Sequence, residues 1–304
     1  AEDLVKIIDN VGIPHGVVNM VTGSASGVGN EIVTNARVHG LSFTGSRDTG
    51  RWILQNAGVK KVGLELGGKN AIIVMDDADV DLAVNGIVWG AFGTTGQRCT
   101  AASRIIAHEK IIKELEEKLV KRVEKLRVGN GLSPNTDVGP LINEAAVEKS
   151  IRYTAIGKKE GKLLCGGKPL DTKGFFFTPA LFSHVKPHAR IAQEEIFGPI
   201  AAILSARNLN DAIKICNGIE YGLSSSIYTN DIANAMRAID KIEAGITYVN
   251  ASTIGAEVHL PFGGVKQTGN GAREAGIEGI NEFTETKTIY IDYSGRLQKA
   301  QGID

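Results

Sequence analysis

Short runs of β-branched and aliphatic residues alternate with longer segments of helical periodicity along most of this chain. That alternation restricts it to an α/β fold, a parallel sheet with helices packed on its faces. Strands are expected at 38–43, 70–75, 104–107, 162–165, 200–204, 224–228 and 246–249, and helices at 80–92, 111–128, 145–160, 209–217 and 232–242. The run Asn70-Ala-Ile-Ile-Val-Met75 is apolar at consecutive positions, the pattern of a strand covered on both faces. In the charged segment after it, Leu115, Leu119, Val123 and Leu126 return at helical spacing. Near the start, Leu4, Ile7 and Ile8 mark a helix broken by Gly12-Ile-Pro14, residues 16–22 read as a strand, and Gly23, Gly27 and Gly29 lead into a helix through Ile32. A freestanding dinucleotide-binding unit opens on a strand, whereas this chain opens on a helix, so its N-terminus reads as truncated.

At 304 residues the chain has material for one large domain or two. Lys and Arg together number 34, as do Asp and Glu, so no global field favours nucleic acid or an anionic membrane. The three cysteines, Cys99, Cys165 and Cys216, form no Cys-x-x-Cys pair and have no nearby histidines, which argues against zinc and for a reducing compartment. With no signal-like apolar core and no run long enough to span a bilayer, a cytoplasmic protein is expected.

Many of the 37 glycines cluster beside polar or charged groups, where backbone can approach a ligand closely. Cys99 lies in Gly-Thr-Thr-Gly-Gln-Arg-Cys-Thr, and Glu65 is the single carboxylate of Gly63-Leu-Glu-Leu-Gly-Gly-Lys69. Taken singly, Cys99 reads as a packing residue and Glu65 as an exposed acid in a turn. Taken together they read as nucleophile and base, the pair needed to make and hydrolyse a thioester. Cys165, in an apolar strand, and Cys216, in a helical segment, read as packing, and no histidine falls in the glycine-rich motifs, against a Cys-His protease. Residues 43–50, Phe-Thr-Gly-Ser-Arg-Asp-Thr-Gly, sit at a strand-to-helix junction that suits a pyrophosphate or a simple capping turn, with the helix expected from about Arg51. Glu194-Glu-Ile-Phe-Gly-Pro199 reads as a helix end and turn or as a ribose-binding carboxylate. Phe175-Phe-Phe reads as packing, and the glycine-dense stretch 261–276 as a surface loop or as an active-site wall braced by Arg273 and Glu274.

Five of these stretches occur in one order: Phe-Thr-Gly-Ser, Glu-Leu-Gly-Gly-Lys, Gly-Gln-x-Cys, Glu-x-Phe-Gly-Pro and Pro-Phe-Gly-Gly-x-Lys. Together they resemble the NAD(P)-dependent aldehyde dehydrogenase superfamily from the first residues almost to the last. The resemblance implies a partial Rossmann-type cofactor domain over 1–67, a catalytic α/β domain over 68–268, and a return segment over 269–304 carrying an oligomerisation strand and tail. It implies that Cys99 attacks an aldehyde to form a thiohemiacetal, that hydride passes to NAD or NADP, and that Glu65 activates water to hydrolyse the thioester. Gly45, Ser46, Leu66, Glu195 and Phe197 would contact the cofactor, and the Cys99 amide would donate to the oxyanion. Gln97-Arg-Cys-Thr100, Gly222-Leu-Ser-Ser-Ser226 and Ser252-Thr-Ile-Gly-Ala-Glu257 look most like the α-aminoadipic semialdehyde dehydrogenase branch, where Arg98, Gly255 and Ala256 would hold a substrate carboxylate. Beyond Glu257, this chain continues Val258-His-Leu-Pro261, where that branch has small residues.

The family's first cofactor strands, its Pro-Trp-Asn oxyanion donor and its adenosine-ribose lysine are missing from this sequence, so weak cofactor binding and slow turnover are expected of the 304 residues alone. The partners implied are a small aldehyde and further copies of the chain, as a dimer or tetramer joined through the alternating run 286–292. Two other readings use the same residues: an inactive assembly or regulatory subunit from a truncated or split gene, and a cofactor-independent cysteine esterase.

Overall fold

The computed structural model describes residues 1–297. The chain opens with α1 (Glu2–Asn10), a π-helical turn (Ala25–Gly29) and α2 (Asn30–Thr34). Next come β1 (Gly40–Thr44), α3 (Arg47–Asn56) and β2 (Lys61–Glu65), with β1 and β2 paired in parallel as a small sheet. Val33, Ile53, Ala57, Leu64 and Leu66 form the core under it. Helix α3 starts four residues before the expected Arg51, because the Ser46 side chain accepts from the Thr49 amide and caps it.

The larger sheet is built from β3 (Asn70–Val74), β4 (Ala102–His108), β5 (Lys162–Cys165), β6 (Ala180–Ser183), β7 (Ile200–Ala206), β9 (Ser224–Tyr228) and β10 (Ile246–Val249). Between them run α4 (Val80–Phe92), α5 (Ile112–Val123), α6 (Glu144–Glu160), α7 (Arg190–Gln193), α8 (Leu209–Asn217) and α9 (Ile232–Lys241). A short pair, β8 (Tyr221–Gly222) with β11 (Val265–Lys266), and α10 (Gly276–Glu282) complete the elements among the described residues. The strand order is β10-β9-β3-β4-β7-β6-β5, parallel throughout except for the antiparallel edge strand β5. Every residue of β3 is buried, with Ile73 facing one core cluster and Ile72 and Val74 the other, as its uninterrupted apolar run requires. Each fully covered aliphatic side chain contributes about 1.5–3 kcal/mol. Side-chain caps at Asp79, Asn143, Asn208 and Asp231 fix where α4, α6, α8 and α9 begin, adding about 1 kcal/mol each.

Two expectations fail locally. Residues 16–22 form no strand: Val17, Val18, Met20 and Val21 are all exposed, and a lone β-branched run with no neighbouring strand has no ladder to join. Helix α5 stops at Val123 and not at 128, because Val128 bridges to Val138 and the Arg127 amide is taken by Asp137. Among the described residues the run 286–292, expected to pair with another copy, joins no strand, and Ile289, Tyr290 and Ile291 are exposed. The end of the expected return segment, 298–304, lies outside the described residues.

Candidate active site

The functional segments converge on the amino edge of the large sheet. Residues 66–69 join β2 to β3, the cysteine loop enters β4, and 194–199 enters β7. This edge faces the small sheet, so the crevice lies opposite the carboxyl edge where open α/β sheets usually bind ligands.

Glu65 ends β2, where its carbonyl accepts from the Gly45 amide and its backbone bridges to Gly269. The next residue, Leu66, donates its amide to Thr268, whose hydroxyl bonds Gly67 O at 2.8 Å and accepts from the Gly222 amide at 3.0 Å. The chain must then pass between two other motifs. A Cβ at Gly67 would overlap the Glu195 carboxylate, and one at Gly68 would overlap the Cys99 carbonyl oxygen, so both positions require glycine for close approach. The Gly68 amide donates to Glu195 Oε1 at 2.9 Å. Asn70 then donates Nδ2 to Cys99 O at 2.7 Å and to Ala101 O at 2.9 Å.

The cysteine loop leaves α4 through a left-handed pair, Thr95 at φ 57° and Gly96 at φ 66°. Thr95 Oγ1 bonds Gly139 O at 3.0 Å, while Gln97 donates to Pro140 O and accepts from the Ile142 amide at 2.9 Å. Gly96 packs directly on Gly198, joining the loop to Phe197 and Glu195. Phe197 holds φ at 57°, a strained conformation for a bulky residue, and half-exposes its ring beside Thr94, Gln97, Phe175 and Phe176 in a cleft of about 690 Å³. Phe177 is buried as expected of packing, whereas Phe175 and Phe176 line this cleft.

Glu65 is 3% exposed and neither carboxylate oxygen has a hydrogen-bond partner. Burial, reinforced by the Glu274 charge, pushes its pKa up to about 8; Arg273 and the Gly264 amide pull the other way without completing a hydrogen bond. Burial also raises the Cys99 thiol, the Thr100 amide opposes that, and the charges of Glu65 and Glu195 add to it. The two carboxylates are therefore within electrostatic reach of the sulfur. A Cβ at Gly263 would touch both Glu65 Oε1 and Arg273 Cδ, which brings the 261–276 stretch against the Glu65 carboxyl. Arg273 spends Nη1 on Gly264 O and Ala272 O, and Glu274 accepts from Thr44 Oγ1 at 2.9 Å, so this stretch closes the wall around Glu65. A buried carboxyl with a pKa near 8 next to a thiol can carry protons near neutrality.

A cleft of about 930 Å³ runs between α2, β1 and α3, lined by Asn30, Val33, Phe43, Thr49, Trp52 and Ile53 among others. Its volume, its apolar walls and the N-terminus of α3 fit the adenosine and pyrophosphate of a dinucleotide. Of the residues expected to bind it, Ser46 caps α3, whereas the Gly45 N–H is already spent on Glu65 O. Leu66 packs against Gly50 in the core. Arg98, Gly255 and Ala256 are all exposed; Thr253 Oγ1 donates to Thr100 O at 2.7 Å and so ties the 252–257 loop to the cysteine loop. Cys165 and Cys216 are buried packing residues. Among the described residues no group of three or more His, Cys, Asp and Glu could hold a metal, and no helix is long and apolar enough to cross a membrane.

Sequence reasoning missed Asn70, Thr253, Thr268 and the buried Lys69. Asn70 was hidden as the first residue of an apolar strand, and its position directly after Gly-Gly-Lys was the only signal.

The Aldehyde dehydrogenase family profile matches residues 1–289. The chain is 38% identical over 295 residues to an α-ketoglutaric semialdehyde dehydrogenase of Bacillus subtilis (strain 168), covering 95% of this chain and 60% of that protein. It is 43% identical over 293 residues to aldehyde dehydrogenase 1A1 of Bos taurus, covering 95% and 58% respectively. A solved betaine aldehyde dehydrogenase point mutant from Staphylococcus aureus, in complex with NAD+, aligns with a TM-score of 0.93 at 35% identity over 97% of this chain and 61% of that one. The chain thus spans about three fifths of the length of these relatives.

Proposed function

Because the chain belongs to the aldehyde dehydrogenase family, we propose that it carries the nucleophile, the base and much of the cofactor cleft of an enzyme that oxidises a semialdehyde to a carboxylic acid. The observation that carries this reading is the packing of one segment, 65–70, against both Cys99 and Glu195. It joins a nucleophile, a base and a ribose-binding acid in one rigid assembly.

Ser46, at the start of α3, and Glu195, at the ribose, would hold NAD or NADP, which would supply the hydride acceptor. Cys99 adds through Sγ to the aldehyde carbon, and its backbone N–H donates to the oxygen of the thiohemiacetal. Loss of hydride leaves a thioester on the sulfur. Glu65 then takes a proton from water at its carboxylate, and the hydroxide attacks the thioester carbon and frees the thiolate. Phe197 would flank the nicotinamide, and Leu66 would meet it through its backbone. Arg98, with the Gly255 and Ala256 amides, would hold the distal carboxylate of the substrate. The separation into a small sheet and a seven-stranded sheet supports the division into 1–67 and 68–268. The unpaired run 286–292 supports association of copies through it, and a strictly monomeric mass by light scattering at micromolar concentration would contradict that.

The deciding experiment is a rapid-mix assay of the purified protein with NAD(P)+ and a carboxylate-bearing semialdehyde. Glu65→Gln should give one burst of reduced cofactor followed by a stall, with the acyl group on Cys99 by mass spectrometry. Steady turnover by Glu65→Gln, or any burst from Cys99→Ala, contradicts the reading.

A further inference from the structure

The Cys99–Thr100 peptide has two ends with different tasks. Its carbonyl accepts from Asn70 Nδ2 at 2.7 Å, and its N–H, on the Thr100 side, is the backbone amide that most opposes the effect of burial on the Cys99 thiol. In a trans peptide the two point in opposite directions, so whatever fixes one fixes the other. Asn70 is 2% exposed and uses its whole amide: Nδ2 also holds Ala101 O at 2.9 Å, and Oδ1 accepts from the Ser224 amide at 2.9 Å. With two carbonyls at one end and an N–H at the other, only one orientation of the side chain satisfies all three bonds. Thr253 Oγ1 holds the intervening carbonyl, Thr100 O, at 2.7 Å. Three consecutive carbonyls are thereby fixed, and the Gly68 α-carbon packs over the Cys99 oxygen and the Asn70 amide.

We infer that Asn70 is a positioning residue for the nucleophile: its amide locks the Cys99–Thr100 peptide so that the Thr100 N–H stays aimed at the sulfur and stabilises the thiolate. This role rests on Cys99 being the nucleophile of the reading above. The Thr100 amide is the largest influence opposing the burial that raises the thiol, so freeing this peptide weakens the main support of the thiolate. Ser, Thr or Ala at position 70 could begin the strand equally well, but none offers two donors and an acceptor.

The test reads the thiol itself: the pH dependence of Cys99 alkylation by iodoacetamide, followed by peptide mass spectrometry, with Cys165 and Cys216 as buried internal references. In Asn70→Ala the midpoint of rate against pH should move up by about half a unit to one unit. Thr253→Val removes one hydrogen bond from the next peptide, loosening the same loop, and should leave the midpoint in place. Should Asn70→Ala not fold, Asn70→Thr begins the strand equally well, adds no charge and cannot supply two donors and an acceptor, and its midpoint should also rise. An unmoved midpoint in either folded Asn70 variant, or an equal shift in Thr253→Val, overturns the assignment. Neither aldehyde nor cofactor enters the measurement. A shifted midpoint in a protein without dehydrogenase turnover therefore supports Asn70 while removing the activity proposed above.

Discussion

Replacing Glu65 by Gln tests the burial of its carboxyl through stability alone. The side chain is 3% exposed, neither oxygen is hydrogen-bonded, and its pKa rises from the ordinary 4.5 to about 8. At low pH both the folded and unfolded chains hold the proton, and no ionisation penalty arises. Between pH 4.5 and about 8 the unfolded chain releases it while the folded chain keeps it, so stability falls as pH rises and levels off above about 8. At about 1.36 kcal/mol per pH unit the full displacement is worth ~5 kcal/mol; with relaxation of the surroundings around the ionised group, about 3–4 kcal/mol should remain at alkaline pH. Glu65→Gln keeps the shape and abolishes the titration. Thermal melts of both proteins should nearly coincide at acid pH and separate in favour of the variant by roughly 5 °C or more above about pH 8. A gap between the melts that is the same at every pH would refute the argument, because only a titrating group makes it widen.

Two further outcomes follow from neighbouring positions. Gly68→Ala places a methyl on the Cys99 carbonyl oxygen and the Asn70 amide, and should destabilise the protein by about 1–3 kcal/mol in melts while displacing the nucleophile, read as slower iodoacetamide labelling. Lys69 is fully buried without a hydrogen-bond partner, and burial, with the Arg104 charge adding to it, lowers its pKa from 10.5 to about 7. The unfolded chain holds that proton up to 10.5, so the penalty is greatest below about 7 and fades as pH rises. Lys69→Met should therefore stabilise by about 2–4 kcal/mol near pH 6, with the gain vanishing towards pH 10; an advantage that persists at alkaline pH would contradict this.

Much of this fold was legible because periodicity is local. The bounds of β5, β9, β10 and α8 match those expected from the sequence, since an apolar run flanked by turn residues states its own secondary structure. The failure at 16–22 has a plain cause. The run has strand composition, but a strand exists only through a partner, and among the described residues none lies beside it. Glu65 and Cys99 stood out as chemical types inside glycine clusters. Asn70 did not, because its significance lies in three hydrogen bonds to residues between 29 and 154 positions away.

Local pattern was enough for the α/β class, the order of most elements, and the choice of Cys99 and Glu65 as candidate nucleophile and base. Only the tertiary structure decided that the site lies on the amino edge of the sheet and that Gly67 and Gly68 are wedged between Glu195 and Cys99. It also decided that Glu65 is sealed without a hydrogen-bond partner, and that one amide fixes the peptide beside the sulfur. The division has a physical cause. Secondary structure follows from short-range periodicity, whereas desolvation, close backbone approach and hydrogen-bond satisfaction depend on which distant segments the folded chain brings into contact.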